Sequence, residues 1–286
     1  MKPLLLLLSL VIFSSQIFAK TNVPLVDNNF NATLWVQQSA EYLANSLQSY
    51  QTAASELDAA LGDKSYSAAL EQTQGFENLP PAIVLDLDET VFDNSYYQAN
   101  LITNHQHWTP KSWDKWVTMR AAGAVPGAID FLHLAISKKI KIIFISNRAC
   151  SKRLNLSDPC PQKLDTIKNL ASIGLKQVQP EQILLKHDPL NTSSKDWGSE
   201  KQSRRQFVSQ TYRIIMMFGD DLGDFLAHVK KNTSPLLRAN LVKKNSHKWG
   251  RQWFTLTNPT YGSWLNILKK PKSQYLKNYH SIEKKL

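Results

Sequence analysis

The sequence predicts an α/β protein, a mostly parallel sheet with helices on both faces. Three observations carry that reading. Short continuous apolar runs at Ile83-Val84-Leu85, Lys141–Ser146 (KIIFIS) and Arg213–Phe218 (RIIMMF) suit strands buried on both sides, unlike the alternating strands of a half-exposed antiparallel sheet. Stretches with apolar residues at helical spacing separate these runs, which is the rhythm of βαβ units. Each run ends in, or leads directly into, polar residues able to do chemistry: Asp86 and Asp88, Ser146, and Asp220. An open parallel sheet binds its ligands at that carboxyl edge.

The 286 residues, 42% hydrophobic and 20% charged, are enough for one main domain with a sizeable core. Met1-Lys2, the apolar run Leu4–Phe13 and a polar segment ending in Ala19 have the three-part layout of a secretory signal. Residues 1–19 are therefore read as a signal peptide and 20–286 as a single domain. The apolar run is too short to span a bilayer, and no cysteine near Ala19 offers a thiol for lipid attachment. A secreted or periplasmic protein without a stable membrane anchor is expected.

Residues 20–79 form an N-terminal helical segment. Apolar positions from Asn31 to Leu61 follow helical spacing and stop at Gly62, giving one long helix or two in series. A short helix and a polar loop are expected over 63–79. After Thr90, residues 93–125 are too long for a tight strand-to-helix turn and rich in Trp, Tyr and His, so they read as a cap over the strand edge. With the N-terminal helices this insertion would form a small cap. Pro126-Gly127 opens a helix over Ala128–Ser137; helices over 161–173 and 200–210 and a short strand over 182–185 follow.

The formal charge is +11, and six lysines fall in the last eighteen residues, so 269–286 read as a solvated basic tail. The charge gives general attraction for phosphate-bearing small molecules, with no nucleic-acid polymer as partner. Association of identical copies is left open. Two cysteines, Cys150 and Cys160, flank a polar loop. In an exported protein the pair is expected to form a local disulfide; two sulfurs with no nearby histidine are too few ligands for structural zinc. His105 and His107, without a third ligand, read as cap surface.

Asp86 and Asp88 lie two apart where a strand stops, so both carboxylates face one pocket. Two negative charges held close must share a proton or be held by a cation. A calcium loop of the EF-hand type is excluded, since its glycine and glutamate positions carry Val91 and Tyr97.

Four stretches in order, DLDET at 86–90, Ser146 in ISNR, Lys201 before a helix, and GDDLGD at 219–224, resemble the motifs of the haloacid dehalogenase (HAD) superfamily of phosphatases. DNSYY at 93–97, PGAIDF at 126–131 and NPTYGSW at 258–264 make the chain similar to the class B and class C acid phosphatases, and among them to the lipoprotein e(P4) type of 5'-nucleotidase. That resemblance implies a Rossmann-like fold and hydrolysis of phosphate monoesters, nucleoside 5'-monophosphates among them. Asp86 would be the nucleophile that forms an aspartyl-phosphate, and Asp88 the general acid and base. Ser146, Asn147 and Lys201 would bind the phosphoryl oxygens, with Lys186 and Lys195 as rivals for the lysine's role. Asp86, Asp220 and the Asp88 carbonyl would hold Mg2+ or another divalent cation, with Asp224 orienting them. The aromatics of the insertion, Tyr97 and Trp113 among them, read as cap packing or as rings that stack a nucleobase or aryl leaving group. Two departures stand out: there is no lipobox cysteine, and Asp221 adds a charge beside the metal site where that group usually has asparagine. Two further readings stay open, a phosphotransferase using the same intermediate and a non-catalytic phospho-ligand binding or storage protein.

Overall fold

A computed structural model of the chain describes residues 29–192 and 196–277; the expected signal peptide lies outside the described residues. Its centre is a five-stranded parallel sheet. The strands are β1 (Pro81–Leu85), β4 (Lys141–Ala149), β5 (Ile183–Lys186), β6 (Arg213–Gly219) and β7 (Trp253–Thr255), in the order β5-β4-β1-β6-β7. Register pairs Val84 with Ile143 on one side and with Met217 on the other, so the strand that ends in Asp86 is central. The expected α/β class and the three core strands are thus found, at nearly the expected bounds.

Period-two alternation splits the strand residues between two cores. Ile83, Leu85, Phe144 and Phe218 face one layer, where α2 (Ala40–Gly62) and α5 (Ala128–Ser137) cover the sheet. Val84, Ile143, Met217 and Trp253 face the other, covered by α7 (Gln202–Ser209), Ala68-Ala69 and Phe225 of the short α8 (Leu222–Phe225). Helix α6 (Pro161–Ser172) adds Leu170 to the first core, while α9 (Pro235–Lys244) and α10 (Ser263–Asn266) lie beyond β6 in sequence.

The N-terminal helices are two in series: α1 (Phe30–Gln38) and α2 break at Ser39, whose extended backbone and Oγ, accepting from Tyr42 N at 3.0 Å, start the second helix. The expected helix over 63–79 is absent; these residues form turns. Ala68 N instead donates to the Ile214 carbonyl (2.7 Å) and Trp253 Nε1 donates to the Ala68 carbonyl (2.8 Å), so the segment is held by the sheet edge and has no need of its own helical bonds. Strand β7 is three residues long, too short to leave a pattern.

The 93–125 insertion is a helical cap. Helices α3 (Ser95–Thr103) and α4 (Pro110–Met119) are closed at the base by a two-residue antiparallel pair, β2 (Phe92–Asp93) with β3 (Gly123–Ala124). Thr109 and Ser112 cap α4 reciprocally, with Pro110 in its first turn. Cys150 and Cys160 are bonded, and the loop they close presents Arg153. Arg153 bridges Asp114 of α4 (2.7 Å) and Asp165 of α6 (2.5 Å), locking cap to core.

Tyr50 of α2 stacks on Phe218, and its buried hydroxyl donates to the Thr90 carbonyl at 2.6 Å, so the N-terminal helix holds the loop after β1. Tyr50→Phe leaves that carbonyl without its donor and is expected to lower stability by about 1–2 kcal/mol in urea unfolding, with the denaturant slope unchanged.

Candidate active site

The end of β1 turns sharply. Asp86 N still donates to the Phe218 carbonyl (3.0 Å), the last rung of the sheet, and Glu89 then adopts a left-handed φ of 61°. The turn sends the Asp86 side chain to the sheet edge, where it meets the Lys201 ammonium; Lys201 also pairs with Asp224 at 2.7 Å. All three groups are buried. Gly219, at the end of β6, makes this approach possible: a Cβ there would sit 2.2 Å from Asp224 Oδ2.

Burial pushes the Asp86 carboxyl up to about 6; Lys201 pulls it down while Asp224 and Asp88 push it further up. Burial disfavours the Lys201 ammonium, but Asp224 and Asp86 outweigh it and hold its pKa above the ordinary value. Asp220 is raised well above the carboxylate range by burial and by Asp224 and Asp86. Asp221, the extra charge noted in the sequence, turns away: it accepts from Ser263 N (2.6 Å), Ser263 Oγ (2.8 Å) and Gly223 N (2.8 Å). Burial alone would raise it, yet Lys230 and those hydrogen bonds leave it below the usual value.

Oxygens of Asp86, Asp220 and Asp224 lie within 4.8 Å of one another, an all-oxygen set suited to a hard divalent cation. The three are not equivalent. Both Asp224 oxygens are engaged, Oδ1 by Lys201 and Oδ2 by Asp221 N (2.9 Å), whereas Asp220 Oδ2 alone is taken, by Asn258 Nδ2 (2.8 Å). Among the described residues Asp86 Oδ2 and Asp220 Oδ1 accept no hydrogen bond, so these two are the oxygens open to a cation.

Asp88 belongs to a different set of contacts. The buried Arg148 guanidinium forks onto it, with Nη2 2.7 Å from Oδ1 and Nε 3.1 Å from both oxygens. Asn94 Nδ2 also donates to Oδ1 (3.1 Å) and is itself fixed by Trp116 Nε1 of the cap (2.8 Å). The more open oxygen, Oδ2, faces Ser146 Oγ at 3.5 Å. The arginine lies over Phe92, with Trp113 beside it.

Of the residues singled out from sequence, Asp86, Lys201, Asp220 and Asp224 meet at the sheet edge, joined by Ser146 and Asp88. Asn147 is exposed and its Oδ1 accepts from Arg204 Nη2 (2.9 Å). Lys186 ends β5 with no ion pair among the described residues, and Lys195 lies outside them. Tyr97 is corrected: at 3% exposure, wedged against Trp113 and Trp116 with its hydroxyl on Ser112 (2.9 Å), it is cap core and offers no face to a substrate. Trp113 is half-buried and stands on the site's side of the cap.

Sequence reasoning missed the supports. Arg204 donates to the Ser146 carbonyl (2.5 Å) and to Asn147, and Arg205 to the Asp224 carbonyl (2.8 Å) while pairing with buried Glu71 (2.5 Å). Both lie in the first turn of the helix that Lys201 caps, so α7 fixes three segments of the site at once. Their only sequence signal was adjacency to Lys201. Glu89 was also passed over: it is buried, raised well above the usual range by burial, and its Oε2 has no hydrogen bond.

The chain is similar to known proteins over most of its length. The family model of the HAD superfamily, subfamily IIIB (acid phosphatase), matches residues 13–264. The class C acid phosphatase from Bacillus anthracis is 35% identical, with a TM-score of 0.70 over 88% of this chain and 97% of that one. A second structure of that enzyme, with tungstate bound, gives 35% identity and a TM-score of 0.68 over 91% and 95%.

Arg205→Met leaves Glu71 as a buried uncompensated charge and is expected to cost roughly 3–5 kcal/mol in chemical denaturation, most of it recovered when Glu71→Met is added. A double variant as unstable as the single one would show that the arginine's packing, and not the unpaired carboxylate, sets the loss.

Proposed function

The chain belongs to subfamily IIIB of the HAD superfamily, the acid phosphatases, and on that premise we propose that it is an exported, magnesium-dependent phosphomonoesterase acting through an aspartyl-phosphate on Asp86, with nucleoside 5'-monophosphates among its substrates. The observation that carries this reading is the Asp86 carboxylate at the end of the central strand, paired to Lys201 and within reach of Asp220. A phosphate monoester repels an anionic nucleophile, so positive charge must stand at the point of attack. Lys201 supplies it from one side. A divalent cation held by Asp86, Asp220 and the Asp88 carbonyl would neutralise the phosphoryl oxygens from the other.

The remaining steps use the chain's own groups. Asp86 attacks phosphorus and the ester oxygen leaves; Asp88 gives that oxygen a proton from Oδ2, its less engaged atom. The resulting Asp88 carboxylate then takes a proton from the water that splits the acyl phosphate, which regenerates Asp86. Arg148 and Asn94 fix Asp88 for both transfers. Ser146, Asn147 and Lys201 bind the transferred group. Binding of tungstate, a tetrahedral oxyanion, by the Bacillus anthracis enzyme supports a site shaped for phosphate. Trp113, half-buried beside Arg148, is the ring assigned to an aromatic leaving group. Export is supported by the Cys150–Cys160 bond, which suits an oxidising compartment, and no helix among the described residues is long and apolar enough to cross a membrane.

Asp86→Asn removes the nucleophile and is expected to lower kcat on an aryl phosphate by roughly four orders of magnitude or more; activity that survives would overturn the aspartyl-phosphate. A phosphate-release panel of nucleotides, sugar phosphates and aryl phosphates, with and without a chelator, tests the substrate class and the metal.

The raised Asp86 carboxyl sets a pH dependence. Burial pushes it up from the ordinary 3.8 to about 6 in the folded chain, so its contribution to stability is fully present below the unfolded value and lost as pH rises through about 6. Asp220 shifts the same way. A divalent cation requires both carboxylates ionised and offsets that loss. The Tm gain from magnesium is therefore expected to be small near pH 4 and to grow to several degrees above pH 6 or so; a gain that does not change with pH would contradict the assigned ligands.

A further inference from the structure

Between Asp224 and Glu283 the chain carries eleven Lys or Arg and no Asp or Glu, so this one segment accounts for a charge equal to the whole formal excess of +11. The rest of the protein is balanced. Three of the eleven are turned inward: Lys230 and Arg238 feel the field of Asp221, and Lys248 is buried over the Trp253 ring. The other eight are exposed, and none makes an ion pair among the described residues.

Apolar side chains stand out from the same segment. On α9 Arg238 is buried and Leu241 half-buried, in line with the buried C-cap Asn245, which turns Leu236 and Lys243 outward on one line, about 10 Å apart along the axis. Leu236 is 72% exposed and Leu237 49%, with Lys243 and Lys244 on the last turn. Beyond α10, Leu276 is 80% exposed between Lys272 and Lys277. Arg238 Nη1 donates to Ser263 Oγ at 2.7 Å, tying α9 to α10, whose Trp264 is 40% exposed.

From this pairing of unpartnered cations with protruding leucines we infer that the α9–α10 face docks on an anionic phospholipid surface. The cations match the headgroup charge, and the leucines gain by leaving water for the acyl boundary. Trp264 suits the level of the headgroups. A polyanion such as nucleic acid would satisfy the lysines but offer the aliphatic side chains nothing, so lipid is the partner that uses both sets.

The test is co-sedimentation of the full chain with vesicles of phosphatidylcholine alone or with about one-third phosphatidylglycerol. Binding to the anionic vesicles only, released by high salt, is expected. Lys243→Gln with Lys244→Gln should weaken it by roughly thirtyfold, and Leu236→Asn with Leu237→Asn should also weaken it, while hydrolysis of a soluble aryl phosphate is unchanged in both. Three results would overturn the inference: no binding to anionic vesicles, equal binding to neutral ones, or binding that neither pair alters, which would assign it to the apolar run Leu4–Phe13. Retention on duplex DNA that the lysine pair abolishes, without vesicle binding, would assign the face to a polyanion instead.

Discussion

The buried ion pair system of Lys201 with Asp86 and Asp224 is the constraint around which the fold is arranged. One ammonium between two carboxylates leaves the cluster short of positive charge, and Asp220 adds a further carboxylate. Such a group is costly in a protein interior unless every member is held where its partners can reach it. The parallel sheet supplies that holding. Strands β1 and β6 are neighbours, so Asp86 and Asp220 arrive side by side from the same edge, and the glycine that ends β6 lets Asp224 fold back against them. The residual deficit is what makes the cluster useful: three carboxylates with one ammonium are formally two positive charges short, which is the charge of a divalent cation.

The helix that carries Lys201 does more than present a lysine. Arg204 and Arg205 reach in opposite directions, one to the carbonyl of Ser146 on β4, the other to the carbonyl of Asp224 after β6. These are hydrogen bonds from fixed, always charged groups to backbone, so they set the spacing between segments without adding a side chain that titrates near neutrality. Glu71, from the irregular N-terminal segment, then balances Arg205. The turns before β1 thus belong to the site's support although they touch no reacting atom.

Much of this was legible in the sequence because it rests on local pattern. Continuous apolar runs marked β1, β4 and β6, and the residues that end them marked the edge; the four motifs then placed Asp86, Lys201 and Asp220. What stayed hidden depends on contacts distant in sequence. Arg205 and Glu71 are 134 residues apart, and no periodicity announces their meeting. Tyr97 misled for the same reason: an aromatic in a cap looks identical in sequence whether its ring meets a substrate or, as here, Trp113 and Trp116. Within residues 63–79, Ala68 N takes its partner from β6 and the rest of the segment is turned, so local helix propensity was overridden.

Two aspartates two residues apart on one turn end in separate networks, and this division suits the tasks proposed for them. The proposed nucleophile, Asp86, is tied to the rigid core through Lys201 and the β6 edge, and Lys201 offsets part of the upward shift that burial imposes on it. A proton carrier must meet a leaving group whose size varies, so Asp88 is tied to the part of the molecule that surrounds that group. Arg148, which forks onto it, is flanked by Phe92 and Trp113, and Asn94 hangs from Trp116 of the cap helix. The cap helix is in turn latched through Asp114 to Arg153 in the disulfide loop, five residues after Arg148. Under the proposed roles, changes in the cap reach the proton carrier before the nucleophile, because of the two aspartates it is Asp88 that shares hydrogen bonds with that side of the pocket among the described residues.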